Sequence, residues 1–150
     1  MKAIIGIGIP ASGKTTILKP LAEEEGLMYI NADDIREELT GDPRNHSQEL
    51  QVWSIAYKRI KQGLQQNGVL VDATHAKTGD RKRIIAYCRQ HGASNIVAYW
   101  IKTDTKTALA RNKTRSNQIP ERAVLAIANK LKINPPTRQE GFDEIITIET

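Results

Sequence analysis

The chain has one cysteine, Cys88, in 150 residues. An internal disulfide is therefore impossible, and a reducing cytoplasm is the expected setting. Long apolar runs are also missing, since none approaches the roughly 20 residues that cross a bilayer. The opening MKAIIGIGIP is too short and too rich in glycine for a secretory signal, and no cleavage site follows it. Aromatic residues make up only 5% of the chain, which argues against a nucleic-acid surface built mainly from stacking platforms. No internal repeat or low-complexity tract interrupts the chain, and its length reads as one domain, residues 1–150.

What is present is an ordinary globular mixture, 39% hydrophobic and 26% charged. Twenty-two Lys and Arg against 17 Asp and Glu leave a net charge of +5, which favours polyanionic partners. Apolar runs at 2–7, 27–30, 68–74, 95–101 and 144–149 read as strands. Between them the spacing predicts helices at about 13–25, 33–39, 46–67, 79–91, 104–112 and 120–132. Pro20 should kink or deform the first of these. On the long helix, Leu50, Trp53, Tyr57, Ile60 and Leu64 recur at helical spacing and read as a core stripe. Strands alternating with helices imply an α/β domain. Its sheet should be mostly parallel, with helices on both faces and ligands beyond the carboxyl ends of the strands.

The stretch GIPASGKTT at 8–16 carries the most chemistry. Gly8-x-x-x-x-Gly13-Lys14-Thr15 is a complete P-loop pattern between an apolar strand and a helix. Its glycines let successive backbone N–H groups point at phosphate oxygens, and the following helix N-terminus adds positive potential. The expected cradle comprises Gly8, Ala11, Ser12, Gly13, Lys14, Thr15 and Thr16. Lys14 reaches the β- and γ-phosphates, the Thr15 hydroxyl ligates Mg²⁺, and Thr16 touches the α-phosphate. The implied cofactors are ATP or GTP as phosphate donor and Mg²⁺. Asp72 closes the strand VLVD and reads as the second magnesium anchor, directly or through water.

A cradle alone does not say where the phosphate goes. NADDIR at 31–36 follows the second strand and should lie at the cradle mouth. Asp33 and Arg36 share a helix face. A carboxylate there can take the proton of an attacking hydroxyl, and an arginine offers a planar fork to a second phosphate. Of Asp33 and Asp34, one is expected to be functional and the other a helix cap. His75 is the chief competitor for the role of base. In the basic segment 111–118, Arg111 and Arg115 would share a helix face, and one would lie over the phosphates as arginine fingers do. Lys113 reads as solvated.

These motifs, with VDATH and Arg81 after them and then ARNKTRSNQIP, resemble the phage-type polynucleotide 5′-kinases in order and approximate spacing. The resemblance covers residues 1 to about 131. It implies a P-loop kinase fold with sheet order 2-3-1-4-5 and a small helical lid at about 111–120. It also implies transfer of the γ-phosphate of a nucleoside triphosphate to the 5′-hydroxyl end of a polynucleotide, in nucleic-acid end repair. Asp33 would be the general base, Arg36 would contact the acceptor's phosphate, and Arg111 and Arg115 would be lid arginines, Arg115 on the transferring group. Lys14 and Thr15 would hold donor and metal. Ala32 and His75 depart from the family pattern. By the resemblance, the domain either acts alone or works with a phosphatase or ligase on separate chains. The segment NPPTRQEGFDEI resembles loops that border the nucleobase in small P-loop kinases. The remaining alternatives are a kinase of a small molecule, and a nucleotide-binding switch or NTPase without a transfer substrate.

Overall fold

KAIIGI becomes a strand because its side chains alternate between two covered faces. In the computed structural model, which describes residues 1–150, Ile4 packs on one side of the sheet and Ala3, Ile5 and Ile7 on the other. Five such strands form one sheet: β1 (Lys2–Ile7), β2 (Met28–Asn31), β3 (Gly68–Asp72), β4 (Asn95–Lys102) and β5 (Glu144–Glu149). Their order is β2-β3-β1-β4-β5, and every pairing is parallel. The expected α/β architecture and strand order are thus those observed. Parallel strands need crossovers, and helices supply them: α1 (Lys14–Glu25), α2 (Ala32–Thr40), α3 (Glu49–Leu64), α4 (Thr78–Gln90), α5 (Thr105–Thr114) and α6 (Glu121–Ile133). On one face α1 packs through Leu18 and Ala22 onto Ile4, Leu70 and Ile101. The larger core on the other face holds Val52, Ala56 and Ile60 of α3, Ile84, Ile85 and Cys88 of α4, and Val124 and Leu131 of α6. No helix is long and apolar enough to cross a membrane.

Several details differ from the expectations. α1 runs unbroken through Pro20. The bond that proline cannot donate would have gone to the carbonyl of Thr16, on the exposed first turn, where water can serve it. α3 stops at Leu64, because Gly68 follows with φ 114 and starts β3. The α3 core stripe holds at Ile60 and Leu64, and Trp53 and Tyr57 pack against the core edge, but the stripe is turned so that Leu50 leaves it. The buried side is Val52, Ala56, Ile60, Gly63 and Leu64, whereas Leu50 is 92% exposed and Trp53 and Tyr57 are only half-buried. Gly63 sets this rotation: a β-carbon there would lie 2.3 Å from Val69 Cγ1, so the helix seats its glycine edge on β3. The segment NPPTRQEGFDEI does not border the cleft described below. It crosses from α6 to β5 past α4, held by a fully buried ion pair in which Arg81 donates to Glu140 at 2.6 and 2.9 Å. Arg81 also donates to the carbonyls of His75 and Asn134, each at 2.8 Å.

Candidate active site

Beyond the carboxyl ends of β1, β2 and β3 opens a cleft of about 1100 Å³. The P-loop forms its floor. Gly13 ends the loop in the left-handed region at φ 88, and Ala11 adopts φ 62. Gly8 admits no side chain, because a β-carbon would lie 2.9 Å from Ile101 O, Lys14 Cδ and Ser12 Oγ. The loop is tied to the sheet on both sides. Gly8 N donates to Thr74 O at 3.2 Å. On the opposite side the Ser12 carbonyl accepts from Thr150 Oγ1 at 2.9 Å, Thr103 Oγ1 at 3.2 Å and Arg111 Nη1 at 3.3 Å. Ser12 is wholly buried and its hydroxyl has no partner. Thr16 is exposed on the first turn of α1 and lines the cleft.

Lys14 points into the cleft. Surrounding protein strips it of water and lowers its pKa, Asp72 and Asp33 pull the other way, and Arg115 lowers it further. Neither the Lys14 amine nor the Arg115 guanidinium is taken up by a hydrogen bond or ion pair within the protein. Two cations thus face one space without a hydrogen-bonded or ion-paired partner, and both can turn to a polyphosphate.

Asp72 and Asn31 are in register at the ends of adjacent strands. Asp72 is not a turn cap. Its Oδ2 accepts from Tyr29 OH at 2.5 Å, Thr15 Oγ1 at 3.1 Å and Asn31 Nδ2 at 3.2 Å, which leaves Oδ1 to the cleft side. Burial and the Asp72 carboxylate raise the Tyr29 pKa, so the phenol stays a donor. Thr15 and Asp72 therefore stand together as one hydroxyl and one oriented carboxylate. That donor set fits Mg²⁺, which keeps most of its waters and takes only one or two protein carboxylates.

Asn31 also caps α2, its Oδ1 accepting from Asp34 N at 3.1 Å. This corrects the expectation that Asp33 or Asp34 caps the helix. Both carboxylates are free of that duty and face the cleft, and partial burial raises the Asp34 pKa. Asp33 is paired with Arg36, whose Nη1 donates to Asp33 Oδ1 at 2.5 Å. Arg36 itself is buried and has no open fork. Glu49 takes it from Nη2 at 2.7 Å and from Nε at 3.3 Å, and the Pro43 carbonyl accepts from Nη1 at 3.2 Å. His46 Nδ1 in turn lies 2.5 Å from Glu49 Oε1. With no acceptor present, the Arg36 fork is occupied by Glu49, the Pro43 carbonyl and Asp33 rather than open to the cleft.

His75 sits at φ 46 with its Nδ1 2.6 Å from Gly6 O. Burial lowers its pKa, so the ring is neutral, donates from Nδ1 and keeps a lone pair on Nε2. That nitrogen is sealed from solvent and has no partner. Asp33, open to the cleft, is the better placed to meet a substrate hydroxyl.

Of the predicted site residues, the structure brings Gly8, Ala11, Ser12, Gly13, Lys14, Thr15, Thr16, Asp33, Arg36, Asp72, Arg111 and Arg115 around one cleft. Sequence reasoning passed over Tyr29, Asn31 and Glu49. Asn31 had a signal, since an Asn before a helix that starts with acids is a cap. The other two are recognised only through contacts far apart in the chain.

A family model described as an AAA domain matches residues 4–133. A search of curated proteins finds no match. Among solved structures, a chain of the Pnkp1/Rnl/Hen1 RNA repair complex aligns with TM-score 0.78 and 19% identity. The alignment covers 95% of this chain and 46% of that one, so this chain spans about half the length of that relative. A gluconokinase from Sinorhizobium meliloti 1021 aligns with TM-score 0.65 and 16% identity, over 99% of this chain and 82% of the other. A deoxyadenosine kinase from M. mycoides with bound dATP gives 0.60 and 16%, over 99% and 91%. At these identities the likeness is one of fold, and the fold is that of P-loop kinases.

Proposed function

The chain belongs to the AAA domain family, and from that premise we propose that it moves the γ-phosphate of a nucleoside triphosphate to the 5′-hydroxyl end of a polynucleotide. One observation carries the reading. A carboxylate, Asp33, aimed by a buried arginine, opens onto the same cleft as an intact phosphate cradle and an unpartnered Arg115. A switch or plain NTPase has no use for a base that serves an acceptor alcohol.

In this reading the backbone N–H groups of Gly13, Lys14 and Thr15 and the Lys14 amine hold the β- and γ-phosphates of ATP or GTP at the start of α1. Thr15 and Asp72 hold Mg²⁺, which when bound supplies charge neutralisation on the phosphate oxygens. Tyr29 and Asn31 keep the Asp72 carboxylate turned. The acceptor 5′-hydroxyl gives its proton to Asp33 as its oxygen bonds to the γ-phosphorus. The bond from that phosphorus to the β–γ bridging oxygen breaks, and nucleoside diphosphate leaves. Arg115 stabilises charge on the moving group from a lid of residues 111–120, and Arg111 anchors that lid at the cradle. Residues 1–150 act as one kinase domain.

Two features support a polynucleotide acceptor. The net charge is +5. A fold neighbour belongs to an RNA repair complex. Acting in end repair beside separate phosphatase or ligase chains is the corresponding setting. The test is transfer of labelled γ-phosphate to 5′-hydroxyl DNA, 5′-hydroxyl RNA and a panel of small alcohols, with wild type, Asp33→Asn and Asp34→Asn. Asp33→Asn should lower kcat by roughly 10²–10⁴-fold with donor binding retained, and Asp34→Asn should stay within about threefold. Equal small losses at both positions would remove the base assignment. Preference for a small alcohol would reassign the acceptor.

A further inference from the structure

Leu50 lies outside the core, Trp53 and Tyr57 only lean against its edge, and none of the three acts in the transfer step, yet they form one stripe on α3. Their spacing of three and four residues puts them on a single face, and that face lines the cleft beyond Asp33. Leu50 is almost fully exposed, although α3 has a complete buried side without it. Trp53 is steadied from both sides, by His75 at 5.9 Å between ring centroids and by Tyr57 at 6.4 Å. The same part of the cleft is rimmed by Lys77, Arg83 and Lys130, all exposed. Lys77 and Lys130 have no ion-pair partner. Arg83 meets Asp80 at 3.5 Å, with the two side chains 71% and 54% exposed, a solvated pair that holds the arginine weakly. A braced indole beside an exposed leucine, ringed by three available cations, matches a ligand of flat rings joined by anions. A sugar or a lone nucleoside whose hydroxyl reaches Asp33 offers no anion at this distance.

We propose that this outer arm of the cleft holds the nucleotides that follow the first in a single-stranded acceptor. Trp53 is the stacking platform, Leu50 and Tyr57 are its apolar flanks, and Lys77, Arg83 and Lys130 take the backbone phosphates. The proposal rests on the polynucleotide reading of the acceptor and adds where the strand runs and how much of it is read.

The experiment uses the full chain and 5′-hydroxyl oligonucleotides of one, two, three and five residues. It measures kcat/KM for each, together with equilibrium binding of a 3′-fluorescein-labelled pentanucleotide over a salt series. In wild type, kcat/KM should rise with length and level off. Trp53→Ala should lower the ratio of long to short acceptors by roughly 5- to 150-fold, the range of one lost base–aromatic stack. Trp53→Phe should restore part of the ratio and Trp53→Leu should not, which separates stacking from bulk if the alanine variant fails to fold. Lys77→Gln and Lys130→Gln should each reduce the slope of log affinity against log salt by about 0.7. Wild-type length ratios and salt slopes in all these variants would overturn the proposal. Should wild type phosphorylate no oligonucleotide, the polynucleotide reading fails. Binding of the labelled strand still decides the arm in that case, being Trp53- and salt-dependent if the arm exists and absent if it does not.

Discussion

Removing Arg81 alone from the buried Arg81–Glu140 pair should cost more than removing both members together. Arg81 is fully buried and Glu140 nearly so. Deleting one partner of such a pair leaves an uncompensated charge and costs about 3–5 kcal/mol, whereas an apolar replacement of both is often neutral for the pair itself. Glu140→Met leaves the guanidinium its bonds to the His75 and Asn134 carbonyls, so its loss should fall near 3 kcal/mol. Arg81→Met strips those carbonyls as well and should approach 5 kcal/mol. The double variant loses only the carbonyl bonds, about 1–3 kcal/mol, and should therefore be more stable than Arg81→Met alone. At roughly 2–4 °C per kcal/mol for a chain of this size, Arg81→Met should lower Tm by about 10–20 °C and Glu140→Met by about 6–12 °C. Calorimetric melts of the four proteins form a double-mutant cycle. Losses that add within about 0.5 kcal/mol would refute a shared buried interaction and with it the account of how the 134–143 crossover is held.

Lys14→Ala should abolish transfer and leave Tm within a few degrees, because the amine faces the cleft without a protein partner; parallel melting and activity measurements check this. Arg115→Ala should lower kcat more than it raises KM for the donor, since its role lies in the transition state. A rise in KM alone in steady-state kinetics would reduce Arg115 to a ground-state clamp. His75 supplies a pH signature. Its folded pKa lies below the ordinary value of 6.5, so on acidification the unfolded chain binds the proton first. Stability should therefore be complete above about pH 6.5 and fall below it, by up to about 1.4 kcal/mol per pH unit from this group. His75→Asn tolerates the left-handed backbone and should remove that increment. Urea melts whose extrapolated unfolding free energy stays constant from pH 7.5 to 5 would argue against a buried neutral imidazole.

The sequence made the strands, the crossover helices and the cradle legible because each rests on local rules: apolar alternation, 3.6-residue spacing, and glycines where a backbone must turn. It misplaced the α3 stripe for a reason equally physical. Leu50, Trp53 and Tyr57 are larger and more apolar than Val52, Ala56 and Gly63, so composition favours them for the core. What decides the rotation is the close approach of Gly63 to Val69, a contact between elements. The cap was misread similarly: Asp33 and Asp34 are good caps in isolation, but Asn31, directly before the first helical residue, holds the duty while also serving Asp72. Arg36 looked free because Glu49, its true partner, is thirteen residues away on another helix.

The Ser12 carbonyl has two lone pairs and three donors. It is oversubscribed, and the longest of the three bonds is the one from Arg111. That arginine can therefore swing away without orphaning a buried acceptor, because two threonine hydroxyls from the far edge of the sheet keep both seats filled. Such redundancy turns a tether into a latch: the cradle keeps its shape whether or not the helix above it is engaged. Departure breaks two long contacts of one Nη1, to Ser12 O and to Thr150 Oγ1, each at 3.3 Å, and each worth about 0.5–1.5 kcal/mol or somewhat more for a charged donor. Phosphate oxygens offered to the same guanidinium can replace both. The phosphate loop and the helix above it are thus joined through one surplus donor.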